Sequence, residues 1–213
     1  MLKDWSNVII PEEEEINERL EKARNKLVQQ QILIMQKKLP VLVSFDGWGA
    51  AGKGSILGKI IKNIDPRFFK VAVMDKPTED EKRRPFLYRY VINIPEAGKF
   101  TFMDGGCLDE VTKQKLSGKI TDEEYKRKIE SVKRFERQLS DNGYLVIKFF
   151  FHIGEQEQRK RLTRLLDDKN TRWRVSEYDW WQNQHYKKSL KAFDQFIDDT
   201  SQSIAPWYIV DAT

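Results

Sequence analysis

Apolar positions along the chain follow two rhythms, one helical and one extended. Ile16, Leu20, Ala23 and Leu27 recur at helical spacing, which predicts a helix over 11–38 with one face packed against the body. Glu12, Glu13, Glu14 and Glu15 near its start and Lys37 and Lys38 at its end suit the helix dipole, and Pro40 stops it. Val41-Leu42-Val43-Ser44-Phe45 is short, apolar and β-branched, the pattern of a buried strand. Further strands are predicted over 70–74, 99–103, 144–152 and 207–210, the last just after Pro206. Helical patterns lie between them. One begins near Ile56, one covers 79–94 with a start or kink at Pro85, and others cover 155–168 and 176–200. Thr121 with Glu124 forms a capping box that opens a helix to about Asn142, where Gly143 ends it.

Five strands alternating with helices predict an α/β fold, a three-layer α/β/α arrangement around a central parallel five-stranded sheet. Such sheets bind ligands at the carboxyl ends of their strands. The segments after Phe45 and Met103 are therefore where chemistry is expected.

The first of these is Gly47-Trp48-Gly49-Ala50-Ala51-Gly52-Lys53, which fits G-x-x-x-x-G-K between a strand and a helix, the context that motif requires. Its glycines let backbone N–H groups turn inward around an anion. The next helix adds its positive end, and Lys53 adds a point charge. Gly54 stands where a Ser or Thr usually reaches Mg²⁺, and Ser55 follows one residue late, so a metal here has to be held by carboxylates. The second segment, Phe100-Thr101-Phe102-Met103-Asp104, is an apolar strand ending in an acid. Beside a phosphate loop this reads as a Walker B strand whose Asp serves Mg²⁺; alone, it reads equally as a helix N-cap.

Composition narrows the class further. The 213 residues include 38 Lys+Arg and 33 Asp+Glu, a net charge of +5, which permits a polyanionic partner without requiring one. A single cysteine, Cys107, excludes an intramolecular disulfide. No apolar run approaches the roughly 20 residues of a membrane helix, and Met1-Leu2-Lys3-Asp4-Trp5 has no signal-peptide core. A cytoplasmic protein without a membrane partner is expected. No nucleic-acid motif is present. His152 and His185 lack partners at metal spacing and are expected to be structural, and Cys107 to be a small buried residue.

With these residues placed, the chain resembles the polyphosphate kinase 2 family, especially the domains of polyphosphate:AMP phosphotransferases. The similarity runs through Phe45-Asp46-Gly47-Trp48-Gly49-Ala50-Ala51-Gly52-Lys53-Gly54, then Pro77-Thr78-Glu79 to Arg83-Arg84-Pro85-Phe86-Leu87-Tyr88-Arg89-Tyr90, and Pro95-Glu96-Ala97-Gly98-Lys99. It continues through Phe135-Glu136-Arg137-Gln138-Leu139, Lys148-Phe149-Phe150, and Ala205-Pro206-Trp207. It implies one P-loop kinase-like domain over 1–213 with a helical lid at about 167–185, and a homo-oligomer. It also implies Mg²⁺-dependent phosphoryl transfer between inorganic polyphosphate and a nucleotide, AMP or ADP/GDP. The phosphate-binding residues would be Gly47, Gly49, Ala50, Ala51, Gly52, Lys53, Gly54 and Ser55, with Lys53 and Asp104 catalytic.

Two positions depart from the family. Its loop, G-x-D-A-A-G-K-G, carries a metal-serving Asp where this chain has Gly49. Its Walker B continues D-R-S-W-Y where this chain reads Asp104-Gly105-Gly106-Cys107-Leu108. Losing a carboxylate and an arginine should weaken catalysis, and Asp46, just before the loop, is the nearby acid that could replace the first. The alternative is a domain that binds polyphosphate or nucleotide, or only scaffolds a partner, without turning it over. Arg83, Arg84 and Arg89, with Lys76 and Lys82, either track a polyanion or pair with Glu79, Asp80 and Glu81 along a solvated face. On the lid, Arg172 and Arg174 flank Trp173, which either stacks on a base or pins the lid to the body.

Overall fold

The computed structural model describes residues 12–74 and 76–213. A long helix, α1 (Glu13–Gln36), leads into β1 (Val41–Gly47), followed by α2 (Lys53–Ile61) and β2 (Phe69–Val73). Two short helices, α3 (Glu79–Arg83) and α4 (Tyr88–Val91), precede β3 (Phe100–Asp104), α5 (Cys107–Leu116) and α6 (Asp122–Asp141). The chain then forms β4 (Leu145–His152), α7 (Glu155–Asp167), α8 (Glu177–Gln184), α9 (Tyr186–Thr200) and β5 (Trp207–Asp211). The sheet is parallel, in the order β2-β3-β1-β4-β5, which is the predicted architecture. Val41, Val43 and Phe45 enter one apolar cluster and Leu42 another, because alternate residues of a strand face opposite sides. Both faces of β1 are thereby covered.

The register sets the site. Phe45 lies beside Asp104 on one side and Phe149 on the other, so β1 and β3 end at the same edge. Thr121 and Glu124 form the predicted reciprocal cap on α6, and Gly143 follows it at φ +80°.

Several elements differ from the sequence expectation. The start of the predicted 11–38 helix lies in part outside the described residues. Of its predicted packing face, Leu27 touches the core, while Leu20 is exposed. The 79–94 helix is two pieces, because Pro85 cannot continue a helical hydrogen-bond ladder. The 176–200 helix is broken at His185, whose Nδ1 donates to the Trp181 carbonyl at 2.9 Å while its ring stacks on the Trp181 indole. Helix α5 has no strong apolar period and was not expected as a separate element.

Candidate active site

The phosphate loop is built from backbone that only particular residues can adopt. Gly47 sits at φ +140°, and a Cβ there would clash with the Phe151 carbonyl oxygen and lie 2.7 Å from the Phe151 nitrogen. Glycine alone lets the chain leave β1 so close to β4. Ala50 and Gly52 also take left-handed backbone, at φ +62° and +87°. Trp48 is fully buried and stacks on Tyr186 with centroids 4.1 Å apart. Its Nε1 donates to His152 Nδ1 at 3.2 Å. Burial holds the His152 pKa below its ordinary value, which favours the neutral ring that can accept this bond. His152 is thus structural, as expected, and the loop is pinned to β4 and α9 through one indole.

Above this anchor the loop presents positive charge. Lys53 Nζ donates to the carbonyls of Gly47 (3.1 Å) and Trp48 (3.0 Å), poised over the turn. Helix α2 begins at Lys53 with Gly52 as N-cap and no side-chain cap on its amides, so its first turn keeps donors for an anion. Gly54 and Ser55 lie exposed on that turn. Asp104 flanks it: its Oδ2 is 3.7 Å from where a Gly54 Cβ would stand. The structure therefore brings Gly47, Gly49, Ala50, Ala51, Gly52, Lys53, Gly54, Ser55 and Asp104 to one edge.

Asp46 goes elsewhere. It is buried, accepting from the Ser44 hydroxyl (2.5 Å) and the Gly106 N–H (2.9 Å). Burial pushes its pKa up to about 6, partly offset by the Ser44 bond. The expectation that Asp46 supplies the missing metal carboxylate is not met by this geometry, because residues 44 and 46 share one face of β1 and that face is interior. Gly106 belongs to the same packing: a Cβ there would meet Asp46 Oδ2 at less than van der Waals distance, and Ser44 Oγ at 2.5 Å.

The arginines divide. Arg89 turns inward, 3.9 Å from Glu81 and 3.9 Å from Glu110. Arg84 lies exposed, 3.4 Å from Asp80 and above the Tyr88 ring, and Arg83 is exposed. On the lid, Trp173 is 76% exposed and its Nε1 bonds the Asn170 carbonyl. It does not pin the lid to the body. Arg174 lies over its ring, and Arg172 is exposed beside it.

The lid reaches the loop through residues the sequence reading did not single out. Gln182 Oε1 accepts from the Gly49 N–H at 3.0 Å, and Gln158 Nε2 donates to the Gly49 carbonyl at 3.3 Å. Gln158 also donates to Gln182, and Asn183 to Gln158, closing a buried amide network between α7 and α8. Asp179, on α8, occupies the space a Gly49 side chain would need. Asp109, partly buried near Lys53, has its pKa raised by burial, with Lys53 opposing and Asp179 adding to the rise. Polar residues spaced along α7 and α8 at helical intervals were the only signal for this clamp.

A parallel sheet, a glycine-rich phosphate loop after its central strand and a helix, α8, packed against that loop define a P-loop kinase-type α/β protein. The chain belongs to the polyphosphate kinase 2 family, whose model, "Polyphosphate kinase 2 (PPK2)", matches residues 11–213. It is 31% identical over 176 residues to a polyphosphate:AMP phosphotransferase of Pseudomonas syringae pv. tomato, covering 83% of this chain and 35% of that protein. It is 28% identical over 197 residues to an AMP/ADP-polyphosphate phosphotransferase of Meiothermus ruber, covering 92% of this chain and 72% of the relative. A crystal structure of polyphosphate kinase 2 from Arthrobacter aurescens TC1 superposes with a TM-score of 0.85 at 26% identity, over 91% of this chain and 70% of that one. The chain spans only about a third of the length of some of these relatives.

Proposed function

We propose that this chain, as one domain, transfers phosphoryl groups between inorganic polyphosphate and a nucleoside mono- or diphosphate, AMP or ADP/GDP. The observation that carries this reading is the loop itself: Lys53, the α2 amides and Asp104 surround one strand-end site. The names of its relatives supply the substrates. A linear chain of phosphates suits an uncapped helix end and exposed arginines, because both bind anions without reading sequence.

Mg²⁺ belongs to the same reading, and the residues fit it in one specific way. Among the described residues, no three His, Cys, Asp or Glu side chains converge to hold an ion by themselves. Mg²⁺ is commonly held by one or two carboxylates together with substrate phosphates, and Asp104 at the loop edge meets that requirement. When bound, the ion neutralises charge developing on the phosphate oxygens. Lys53 positions the transferring group, and the loop amides hold the adjoining phosphates. The lid, with Arg172, Trp173 and Arg174, covers the nucleotide. No described helix is long and apolar enough to cross a membrane. The reading places the domain in the cytoplasm as a homo-oligomer.

The test is Mg²⁺-dependent phosphorylation of AMP, ADP and GDP by polyphosphate, beside calorimetric titration of polyphosphate at low salt. Turnover below the ordinary kinase range of about 1–100 per second is expected, abolished in Lys53→Met. Binding without turnover supports the binding-domain alternative, which Gly49 and Gly105 favour. Absence of binding overturns both.

A further inference from the structure

Gly49 is the third residue of the phosphate loop, and the space its missing side chain leaves is already filled. A Cβ built on Gly49 would meet Asp179, clashing with Oδ1 and lying 2.8 Å from Cγ and 3.1 Å from Cβ. The carboxylate thus stands where a side chain on residue 49 would project. Its other oxygen is held in place. Asp179 Oδ2 accepts from the Ser176 N–H and the Ser176 hydroxyl, each at 2.7 Å, in the capping box that starts α8. The loop is held to the same helix by the Gly49 N–H bond to Gln182, three residues further along α8. The placement follows from two fixed contacts, so it is part of how the lid seats.

A carboxylate so close to an anion-collecting loop has a physical consequence. Phosphate on the loop and the charge of Asp179 repel each other at short range. Either the lid stays off the loaded loop, or a cation lies between the two. Asp104 stands beside Gly54, in the first turn of α2. Two carboxylates flanking bound phosphates are a donor set that suits Mg²⁺.

We propose that Asp179 is a carboxylate of the phosphate site, donated by lid helix α8 into the place Gly49 leaves open, and that it faces the divalent cation accompanying the bound phosphates. Seating of the lid over a loaded loop then depends on that cation. Gly49 leaves the room that the Asp179 carboxylate takes up, and a side chain at 49 would make that carboxylate shift. The inference rests on the phosphate-site reading above and goes further by naming the second carboxylate and its source.

The experiment uses the full chain with inorganic tripolyphosphate and Mn²⁺ as probes. Bound Mn²⁺ is read by electron paramagnetic resonance, and lid closure by amide exchange over residues 176–184. In the wild type, tripolyphosphate with Mn²⁺ should protect 176–184 more than tripolyphosphate alone. Asp179→Asn should weaken Mn²⁺ in the ternary complex by about tenfold or more, while metal-free tripolyphosphate binds as well as before or better. Gly49→Asp alone should crowd two carboxylates into one space and increase exchange over 176–184. Combining it with Asp179→Gly should return Mn²⁺ affinity to within about threefold of wild type, since the carboxylate is restored from the other side. Unchanged Mn²⁺ affinity in Asp179→Asn, with tripolyphosphate bound, overturns this inference and leaves the proposed function standing. Failure of the wild type to bind tripolyphosphate overturns the proposed function itself.

Discussion

β1 and β3 end side by side, and each runs into glycine, yet the two turns lean on different parts of the molecule. After β1, the loop is tied outward: Gln182 and Gln158 hold Gly49, and Asp179 fills its side-chain space. After β3, the turn is tied inward: the Gly106 N–H is held by Asp46, beneath the sheet, and the missing side chain is replaced by Asp46 and Ser44. One absence is made good by a helix from another part of the chain, the other by groups fixed in the core. A glycine in place of a functional side chain therefore carries no single meaning. At Gly49 the neighbourhood supplies a carboxylate; at Gly105 and Gly106 it supplies packing and no cation.

The strongest way to break this contrast is at the shared root of the loop. Gly47→Ala should cost more than about 4 kcal/mol, because the Cβ meets the Phe151 backbone and the backbone is left-handed. Urea denaturation measures it. A small loss would mean that β1 and β4 separate more easily than their pairing suggests.

Next is the inward tie. The Asp46 pKa is raised from 3.8 to about 6 by burial. The native state therefore binds a proton that the unfolded chain has released, and this contribution to stability is full below about pH 4. It is lost as pH rises through 6, amounting to roughly 3 kcal/mol in total. Asp46→Asn keeps an acceptor for Gly106 and a partner for Ser44. It should stabilise the fold above pH 6 and flatten the profile between pH 4 and 6, measured by thermal unfolding across pH. A variant less stable than wild type at pH 7.5 would show that the Asp46 charge is needed, for instance by Lys53.

The expected effects then shrink. Gly105→Arg restores the family's residue type, but the backbone there is at φ +89°. It should cost about 1–2 kcal/mol and raise turnover little, since the arginine starts from a strained turn; a clear rate gain would show that the turn adapts. Trp173→Ala should change stability by less than about 0.5 kcal/mol, because the ring is 76% exposed. If the ring covers a base, AMP affinity should fall about tenfold, and unchanged affinity removes it from the nucleotide site.

The sheet, the loop and Asp104 were legible because each is written in a contiguous run: apolar strands, glycine spacing, an acid at a strand end. What stayed hidden depends on chain segments far apart. Ser176 and Asp179 read in sequence only as the start of a helix, which they are; nothing local shows that the second oxygen of the cap reaches a glycine on another element. Arg89 sits in a basic run that reads either as a polyanion track or as a solvated face, yet Glu110 from α5, an element without a clear period, lies beside it in the interior. Asp46 looked like a spare ligand because it adjoins the loop, but strand alternation sends it to the other face.

The position of β1 in the middle of the sheet bears on how the chain is made. Val41 pairs with Phe100 and with Leu145, so the loop-bearing strand waits for partners synthesised up to roughly a hundred residues later. Until β3 is made, Val41, Val43 and Phe45 form an unpaired apolar strand, and until β4 follows it one edge stays open, the kind of segment that chaperones protect and that aggregates when they do not. The element that would capture phosphate is thus made before the strands that secure it.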